Sequence, residues 1–412
     1  MNFELAVAKR LQLLSDDKAN RSAAFTLNIA MVGISLAIVI MIISIAIVFG
    51  FKSTIVNKLA DFQPHIRITN GQQDASGNNV IDFNEFNSLI GGMDKSGMAS
   101  LSLVAETPCI IKTNKEFSGL FFKGISSDFD STKISASITE GSFQCDSNNI
   151  VIAKTIADKM NLKAGDRPMI YFVKDDKIRQ RRLNICGIFN SEIEDFDKNY
   201  IFGNIDVVQS VNNWNSTSGT SVQIFLKDLS NLNQFRKSII ACIYQGLYST
   251  ESQTVYQLTT ITEENSTYFA WLDLLDTNII VIITLMTLVA CFSLIAGLLI
   301  VVLNRTNMIG ILKSLGANNS TIRKIFIYLS GKLIIKAMII GNIIGFTFII
   351  IQKYFHLIKL DPGTYYMSYV PVEINVWLLV FNFCALLVAF ISLIGPSYII
   401  TSLSPAKTIK FE

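Results

Sequence analysis

The stretch Leu27–Phe51 reads LNIAMVGISLAIVIMIISIAIVFGF and contains no charged residue. Because a helix rises 1.5 Å per residue, a run of about 25 residues can cross a hydrocarbon core about 30 Å thick. A cleaved signal peptide is the alternative, since Ser44 and Ala46 loosely resemble a cleavage site. The apolar core of a signal is only about 7 to 15 residues long, so the length favours an uncleaved anchor. The stretch therefore predicts a membrane-spanning helix.

Three further apolar runs of spanning length follow after a gap of more than about 200 residues, at Asn278–Leu303, Ile325–Ile351 and Val376–Ile400. We therefore expect a membrane α-helical protein with four transmembrane helices and one large domain inserted after the first. The predicted boundaries are 1–26 for a cytoplasmic amphipathic helix, 27–51, 278–303, 325–351 and 376–400 for transmembrane helices, 52–277 for the inserted domain, 304–324 for a cytoplasmic loop, 352–375 for an outer loop and 401–412 for a cytoplasmic tail.

Basic residues are distributed asymmetrically about these runs. Cytoplasmic loops carry an excess of Lys and Arg, which predicts that both termini and the 304–324 loop are cytoplasmic and that 52–277 is extracytoplasmic. The residues that carry the asymmetry are Lys9, Arg10, Lys18, Arg21, Arg305, Lys313, Arg323, Lys324, Lys407 and Lys410.

The N-terminal segment has an apolar stripe at helical spacing, formed by Phe3, Val7, Leu11 and Leu14. Such a stripe is typical of an amphipathic helix that lies in the plane of a membrane surface. We expect residues 1–26 to lie along the inner surface, with a frayed cytoplasmic tail as the alternative.

The inserted domain mixes strand-like and helical patterns, which predicts an α+β fold. His65–Thr69 alternates as a strand that ends at Asn70 and Gly71, and Met169–Val173 is a second run typical of a strand. Ala153–Leu162 has helical periodicity. His65 lies in the first of these strands, where a satisfied hydrogen bond is a simpler interpretation than catalysis.

Composition and motifs exclude several classes of protein. Half of the residues are apolar, only 16% are charged and the net charge is +3, which does not favour a nucleic-acid partner. No GxxxxGK[ST] loop or GxSxG elbow occurs. With two His and no CxxC pair, no zinc or haem ligand set is present. The irregular spacing of the six Cys favours free thiols, and one or two disulfides among Cys109, Cys145, Cys186 and Cys242 are the alternative.

The loop between the second and third apolar runs contains the most informative motif. Arg305–Ala317 reads RTNMIGILKSLGA, a short amphipathic helix that ends at a glycine. We predict that Ile309, Leu312 and Leu315 share one face that docks in a groove of a soluble partner. A solvated connector is the alternative, but it needs no apolar face. The predicted contact residues are Ile309, Gly310, Leu312, Lys313, Leu315, Gly316 and Ala317.

Gly341 and Gly345 form a GxxxG motif in the third predicted span, which lets two helices approach closely. The motif predicts a seam either between two copies or within one helix bundle, and ordinary packing glycines are the alternative.

The loop motif resembles the coupling helix of the permease subunits of type VII ABC transporters, a family that includes lipoprotein-releasing, macrolide-efflux and cell-division permeases. Its pattern is approximately R/K-x-x-E-I-G-I-L-K-A-L-G-A, and Met308 stands where the family usually has Glu. Gly50–Lys52 with His65–Thr69, and Asn149–Asp166, resemble the lipoprotein-releasing branch. Tyr365 and Tyr366, Pro371–Glu373 and the tail from Pro396 to Lys410 are similar to the family too.

The resemblance implies a mechanotransmission permease without an ATP-binding motif of its own and therefore not itself an enzyme. ATP and Mg would be bound by a separate cytoplasmic ATPase subunit, and this chain would hold no cofactor. A second permease chain, identical or a sister, would complete a cavity that takes lipoprotein cargo from the inner membrane for a periplasmic carrier. The residues expected to line that cavity are Val48, Phe49, Phe51, Ile279 and Ile280.

Two other functions remain open at this stage. The size of the inserted domain argues against the cell-division branch, and the lack of a nucleotide-binding segment before the first span leads us to expect no fused macrolide pump. An efflux permease that works with a periplasmic adaptor is the second hypothesis. A membrane-anchored signalling or scaffold protein is the third, but it gives no reason for an apolar face on the 304–317 loop.

Overall fold

The computed structural model describes residues 18–72, 79–113, 116–146, 148–174, 177–250, 254–304, 306–361, 365 and 367–395. Most of the predicted amphipathic helix at 1–26 and all of the tail at 401–412 lie outside these residues. The helices are α1 Lys18–Phe62, α2 Phe83–Leu89, α3 Thr132–Ala136, α4 Lys154–Met160, α5 Glu194–Asn199, α6 Ile205–Asn212, α7 Leu232–Thr250, α8 Ile261–Glu264, α9 Ser266–Asn304, α10 Thr306–Ser314, α11 Asn319–Phe355 and α12 Val376–Ser392.

The strands alternate with the shorter helices in the middle of the chain. They are β1 Ile66–Asn70, β2 Ile81–Asp82, β3 Met98–Lys112, β4 Phe117–Ile125, β5 Ile138–Gly141, β6 Asn149–Ala153, β7 Met169–Lys174, β8 Lys177–Arg182, β9 Asn184–Phe189, β10 Tyr200–Asn204, β11 Ser218–Gly219, β12 Ser221–Leu226 and β13 Tyr256–Thr260. The strands predicted at His65–Thr69 and Met169–Val173 and the helix predicted at Ala153–Leu162 are confirmed as β1, β7 and α4.

The chain divides into two compact units. The helical unit falls within Met1–Ser53, Trp271–Lys359 and Tyr369–Glu412, and the sheet unit comprises Thr54–Ala270 and Leu360–Ser368. Each unit has its own core.

The helical unit contains the apolar helices. Within the described residues, three segments are long and apolar enough to cross a membrane: Asn28–Phe62, Ser266–Ile300 and Asn319–Phe355. The fourth predicted span, 376–400, extends past the last described residue, and its described helix Val376–Ser392 is apolar but shorter. Membrane helices are therefore present, while four remains a predicted number.

The helices of this unit share an apolar cluster. Ile42 and Ile45 of α1, Leu298 of α9 and Phe326 of α11 are buried in it. In lipid the hydrophobic effect contributes little to the association of helices, so such contacts stabilise the bundle through close packing. Polar side chains add to the packing, because Asn382 of α12 donates a hydrogen bond to Asn342 of α11.

The first long helix continues past the predicted end of the span. Residues Ile55, Leu59 and Phe62 are buried, and their spacing of four and three places them on one face of α1. Hydropathy detects where the lipid-facing run ends, but the amphipathic stripe that follows keeps the backbone helical. α1 therefore ends at Phe62, beyond Phe51.

The sheet unit is built on one mixed sheet. Over the described residues it has eleven strands, in the order β13-β1-β12-β3-β4-β10-β6-β9-β5, while β7 pairs with β3 and with β8. β10 is parallel to β4, and β6 is parallel to β9; β1 lies antiparallel between β12 and β13. The predicted α+β character of the domain is thus present.

The core of the sheet unit is rich in phenylalanine. Phe122, Phe172, Phe189 and Phe202 are fully buried and contact one another edge to face in pairs. Burying one such side chain stabilises a fold by about 1.5 to 3 kcal/mol. All six Cys lie in the described part of the chain and are free thiols.

Candidate functional site

The short helix α10 ends in a well-formed Schellman motif. Gly316 has φ +85°, its N–H donates to Lys313 O at 3.0 Å, and the N–H of Ala317 donates to Leu312 O at 2.9 Å. A left-handed residue at this position is usually glycine, because a Cβ is strained there. The stop predicted at Gly316 therefore follows from local backbone chemistry.

The apolar side chains of α10 separate into two faces. Ile309 is 0% exposed and lies in the core cluster of the helical unit, and Leu312 and Ala317 pack against that cluster. Ile311 and Leu315, four residues apart, are 55% and 79% exposed. One face of α10 thus holds the helix against its own bundle, and the other is largely exposed.

The predicted docking face needs a correction. Ile309 and Leu312 do not share an exposed face with Leu315, because they pack inward. Both stripes have helical spacing, so periodicity alone cannot tell which one faces the bundle. The exposed apolar pair is Ile311 and Leu315. Gly310 is buried, and Lys313 and Gly316 lie at the end of the helix, so the coupling role of this set stays a prediction.

Gly341 and Gly345 lie on the side of α11 that faces α1. A Cβ added to Gly341 would lie 2.9 Å from Ser35 O, and one added to Gly345 would lie 3.1 Å from Ile42 Cγ2. The hydroxyl of Ser35 also donates to Ala337 O at 3.0 Å. The contacts of this GxxxG motif therefore lie within one chain, at a seam between α1 and α11.

The five residues predicted to line a cargo cavity do not lie on one surface. Ile279 is buried in the core cluster, and Val48 and Phe49 pack against it. Phe51 is half-buried, and Ile280 is exposed, since consecutive residues on a helix point about 100° apart. Their role in cargo binding remains a prediction.

An ion pair joins α1 and α9 near these residues. Lys52 Nζ lies 2.6 Å from Asp276 Oδ2 and 3.9 Å from Asp273 Oδ1. Exposed pairs of this kind contribute about 0 to 1 kcal/mol. The ion pair contributes mainly to the relative position of the two helices, because it links residues that are more than 200 positions apart in sequence.

In the sheet unit, the residues just after α1 form a hydrogen-bonded corner. His65 Nδ1 accepts from the N–H of Leu226 at 2.8 Å, and Nε2 lies 3.1 Å from Ala60 O. Burial lowers the pKa of His65, although the Ala60 carbonyl and Asp61 oppose the shift. His65 is thus neutral, with its proton on Nε2, and it has a structural role as the sequence suggested.

A buried charge cluster lies beside this corner. Arg67 of β1 pairs with Glu106 of β3 at 3.2 Å and with Glu264 of α8 at 2.6 Å. Burial would raise the pKa of Glu106, but Arg67 and then Lys123 outweigh it and hold that pKa below its usual value. Burial raises the pKa of Glu264 above its usual value. The cluster ties the strand after α1 to the turn before α9.

The sequence analysis did not predict this cluster, although a sequence motif indicates the position of one of its members. Thr260 and Glu263 form a capping box at the start of α8, the pattern of Thr or Ser followed three residues later by Glu. That motif places Glu264 in the first turn of a helix. Its partner Arg67, and Glu106, which also pairs with Arg67, come from distant strands, and only the order of the sheet brings them together.

Comparison with known proteins identifies the class of this chain. A family model described as the MacB-like periplasmic core domain matches residues 28–241, and one described as the FtsX-like permease C-terminal region matches residues 280–405. The chain belongs to this family of ABC-transporter permeases. The permease has α10 and the two glycines of the GxxxG motif in its FtsX-like part, and Arg67 and Glu106 in its MacB-like part.

Curated relatives match this permease from end to end. A protein named lipoprotein-releasing system transmembrane protein LolC from Xylella fastidiosa is 19% identical over 428 residues, covering 99% of each chain. LolC of Buchnera aphidicola is 23% identical over 93% of each chain, and LolC of Neisseria meningitidis serogroup B is 19% identical over 100% of each.

Solved structures of transporter domains are similar to part of the permease. They include the extracellular domain of the ABC-type transporter YknZ, at 13% identity and TM-score 0.34, which covers 47% of this chain and 99% of that one. The periplasmic region of MacB from Actinobacillus actinomycetemcomitans has 13% identity and TM-score 0.35, covering 49% of this chain and 91% of that one.

Proposed function

We propose that this chain is the permease subunit of a mechanotransmission ABC transporter that extracts lipoproteins from the inner membrane for transfer to the outer membrane. The observation that carries the proposal is the end-to-end match to relatives named as lipoprotein-releasing transmembrane proteins. A separate cytoplasmic ATPase subunit would bind ATP and Mg and supply the energy, and this chain would hold no cofactor. A second permease chain and a periplasmic carrier complete the proposed set of partners.

The proposed topology is multi-pass in the inner membrane with α12 as a fourth span and both termini cytoplasmic. The 17 described residues of α12 are at the short end of the length that spans a bilayer. The basic residues beside α10 support a cytoplasmic position for that helix. α1, α9 and α11 would then act as levers between α10 and the sheet unit.

Exposed apolar residues support the proposed membrane and permease partners. Leu285, Leu288, Val289 and Phe292 of α9 are exposed in the isolated chain. In the assembly they would face lipid acyl chains or the second permease chain, since a soluble protein rarely exposes a contiguous apolar patch.

The exposed pair on α10 gives the sharpest test of ATPase docking. Asp at both Ile311 and Leu315 places charge on the exposed face of this segment and leaves the buried Ile309 unchanged, so the permease should still fold. We expect co-purification of the ATPase subunit to weaken at least tenfold, a loss of about 1.4 kcal/mol or more. Asn319→Asp adds a negative charge at the exposed first residue of α11 without removing an apolar group, and it should bind normally. Unchanged co-purification of the double variant would refute the docking face.

The cargo is tested by depletion of the permease in its own cell. We expect outer-membrane lipoproteins to accumulate in the inner membrane, measured by fractionation on a density gradient. Normal lipoprotein sorting together with increased sensitivity to drugs would instead support an efflux permease that works with a periplasmic adaptor. Normal sorting, normal drug resistance and no ATPase partner would favour a signalling or scaffold protein.

A further inference from the structure

A cavity of about 360 Å³ opens in the sheet unit beside the buried charge cluster. Arg67 of β1, Lys123 of β4, Tyr200 of β10, Phe196 of α5 and Glu264 of α8 line it. Cavities that hold small molecules begin at about this size. Five separate elements of the unit therefore converge on one polar pocket.

Lys123 is the unusual member of this pocket. Its side chain is 2% exposed, yet no described residue accepts a hydrogen bond from its ammonium or forms an ion pair with it within 4.0 Å. Its nearest charged neighbour in the sheet is Glu106, directly opposite in the register of β3 and β4. The Nζ also lies 5.6 Å and 5.8 Å from the ring centres of Phe129 and Phe202. A buried ammonium normally has hydrogen-bond partners. Because none is described for Lys123, its three N–H donors remain available to a ligand.

Two other donors belong to residues that line the same cavity. Arg67 contacts Glu106 and Glu264 through Nη1 and Nε, which leaves Nη2 without a described carboxylate. The hydroxyl of Tyr200 has no hydrogen-bond partner among the described residues. Burial lowers the pKa of Lys123 to about 8, with Glu106 opposing that shift, so the ammonium form prevails at neutral pH.

The hydrogen-bond donors at the pocket suit an anion. Arg67, Lys123 and Glu264 line the cavity, and Glu106, which lies behind it, balances the second cation, so the site offers directed donors and not a net positive charge. Arg and Lys together with a hydroxyl are a donor set suited to the several oxygens of a phosphate group. Phe196 and Tyr200, whose ring centres are 5.2 Å apart, form an aromatic wall on one side of the pocket.

We propose that this pocket binds a phosphate group, carried either by a phospholipid headgroup or by a free phosphate. Lys123 and Arg67 hold the charge, and Tyr200 donates to one oxygen. The site is distinct from the proposed cargo cavity and from α10, so the inference does not depend on the cargo.

The test uses the full chain, purified in a maltoside detergent in phosphate-free buffer and titrated by calorimetry. The two probes are inorganic phosphate and glycerophosphoethanolamine, a headgroup without acyl chains, with sodium chloride matched for ionic strength. We expect saturable binding of at least one probe. Preference for glycerophosphoethanolamine assigns the lipid source, and preference for inorganic phosphate assigns the free one.

Two variants and a control identify the pocket as the site. Lys123→Met should weaken binding at least tenfold, and Tyr200→Phe, which keeps every charge and the ring contacts, should weaken it about threefold. Lys163→Met removes an exposed cation of the same unit and should bind as the wild type does. The proposal would be overturned if neither probe showed saturable binding. It would also be overturned if both Lys123→Met and Tyr200→Phe bound the probes as tightly as the wild type does.

Discussion

Asp197 is a buried carboxylate with no cation to pair with among the described residues. Ser191 donates to its Oδ1 through the hydroxyl at 2.6 Å and through the N–H at 3.3 Å. Burial raises its pKa to about 6, although the bonds from Ser191 act in the opposite direction. The unfolded carboxyl ionises near pH 4, so the folded state loses stability between about pH 4 and pH 6 and stays lower above that.

Asp197→Asn should therefore stabilise the permease at high pH and not at low pH. The amide oxygen can still accept from Ser191, and no charge must be buried. We expect the unfolding temperature of the variant in detergent to exceed that of the wild type at pH 8, with the gap closing at pH 4.5. Asp128→Asn, at an exposed position, is the matched control. A gap of the same size at both pH values would contradict the assignment.

Gly316 is a residue at which backbone conformation alone matters. A Cβ added there would meet nothing within 4 Å, so Gly316→Ala tests the strain of its positive φ without a steric clash. A left-handed alanine costs about 1 kcal/mol relative to glycine. We expect faster amide exchange at the end of α10 and weaker ATPase binding. Gly92→Ala, also in open space but without a positive φ, should change neither.

At the scale of elements, the seam between α1 and α11 depends on the absence of side chains. Gly341 approaches the backbone of Ser35, and Gly345 approaches Ile42, so the two helices pack closely only with glycine at these positions. In lipid, close approach is a main source of helix association. This seam fixes the spacing of two of the proposed levers.

Gly341→Val should separate the two helices. Its Cβ would stand 2.9 Å from Ser35 O, and neither backbone can yield without moving a whole helix. We expect a lower unfolding temperature in detergent and, if the proposed function holds, loss of lipoprotein release. Ile343→Phe changes volume on the same helix at an exposed position and should be tolerated. Equal effects of the two variants would show that a larger side chain at any position of α11 is destabilising. The contact between α1 and α11 at Gly341 would then not be the cause.

At the scale of the whole molecule, the two compact units are held by different forces. The sheet unit buries its phenylalanines away from water, whereas the apolar helices satisfy their backbone hydrogen bonds internally and remain helical in detergent. Proteins with separate cores commonly depart from two-state unfolding.

We therefore expect guanidinium to unfold the sheet unit before the helices. Tryptophans distinguish the units, because Trp214 lies in the sheet unit while Trp271 and Trp377 lie in the helical unit. In a variant that keeps only Trp214, the fluorescence midpoint should come at a lower denaturant concentration than loss of the far-ultraviolet helix signal. The reverse variant, Trp214→Phe, should follow the helix signal. Coincident midpoints for both variants would show a single cooperative unit.

The sequence by itself determined the features that depend on neighbours along the chain. The uncharged run Leu27–Phe51 predicts a span, alternation predicts β1 and β7, and Gly316 predicts the end of α10. Lipid solvation, strand pleating and a left-handed turn all act over a few residues, so a local pattern suffices to read them.

Only the tertiary structure decided which of two apolar stripes of α10 faces the bundle and which helix lies against Gly341. It also brought Arg67, Glu106, Lys123 and Glu264 together from three strands and a helix. These outcomes depend on contacts between residues distant in sequence, such as Arg67 and Glu106, which are 39 positions apart, and Ser35 and Ala337, which are 302 apart. Loop closure of that length leaves no trace in local periodicity. The membrane class can therefore be predicted from the sequence, whereas the charge cluster forms only because the order of the strands brings its residues together.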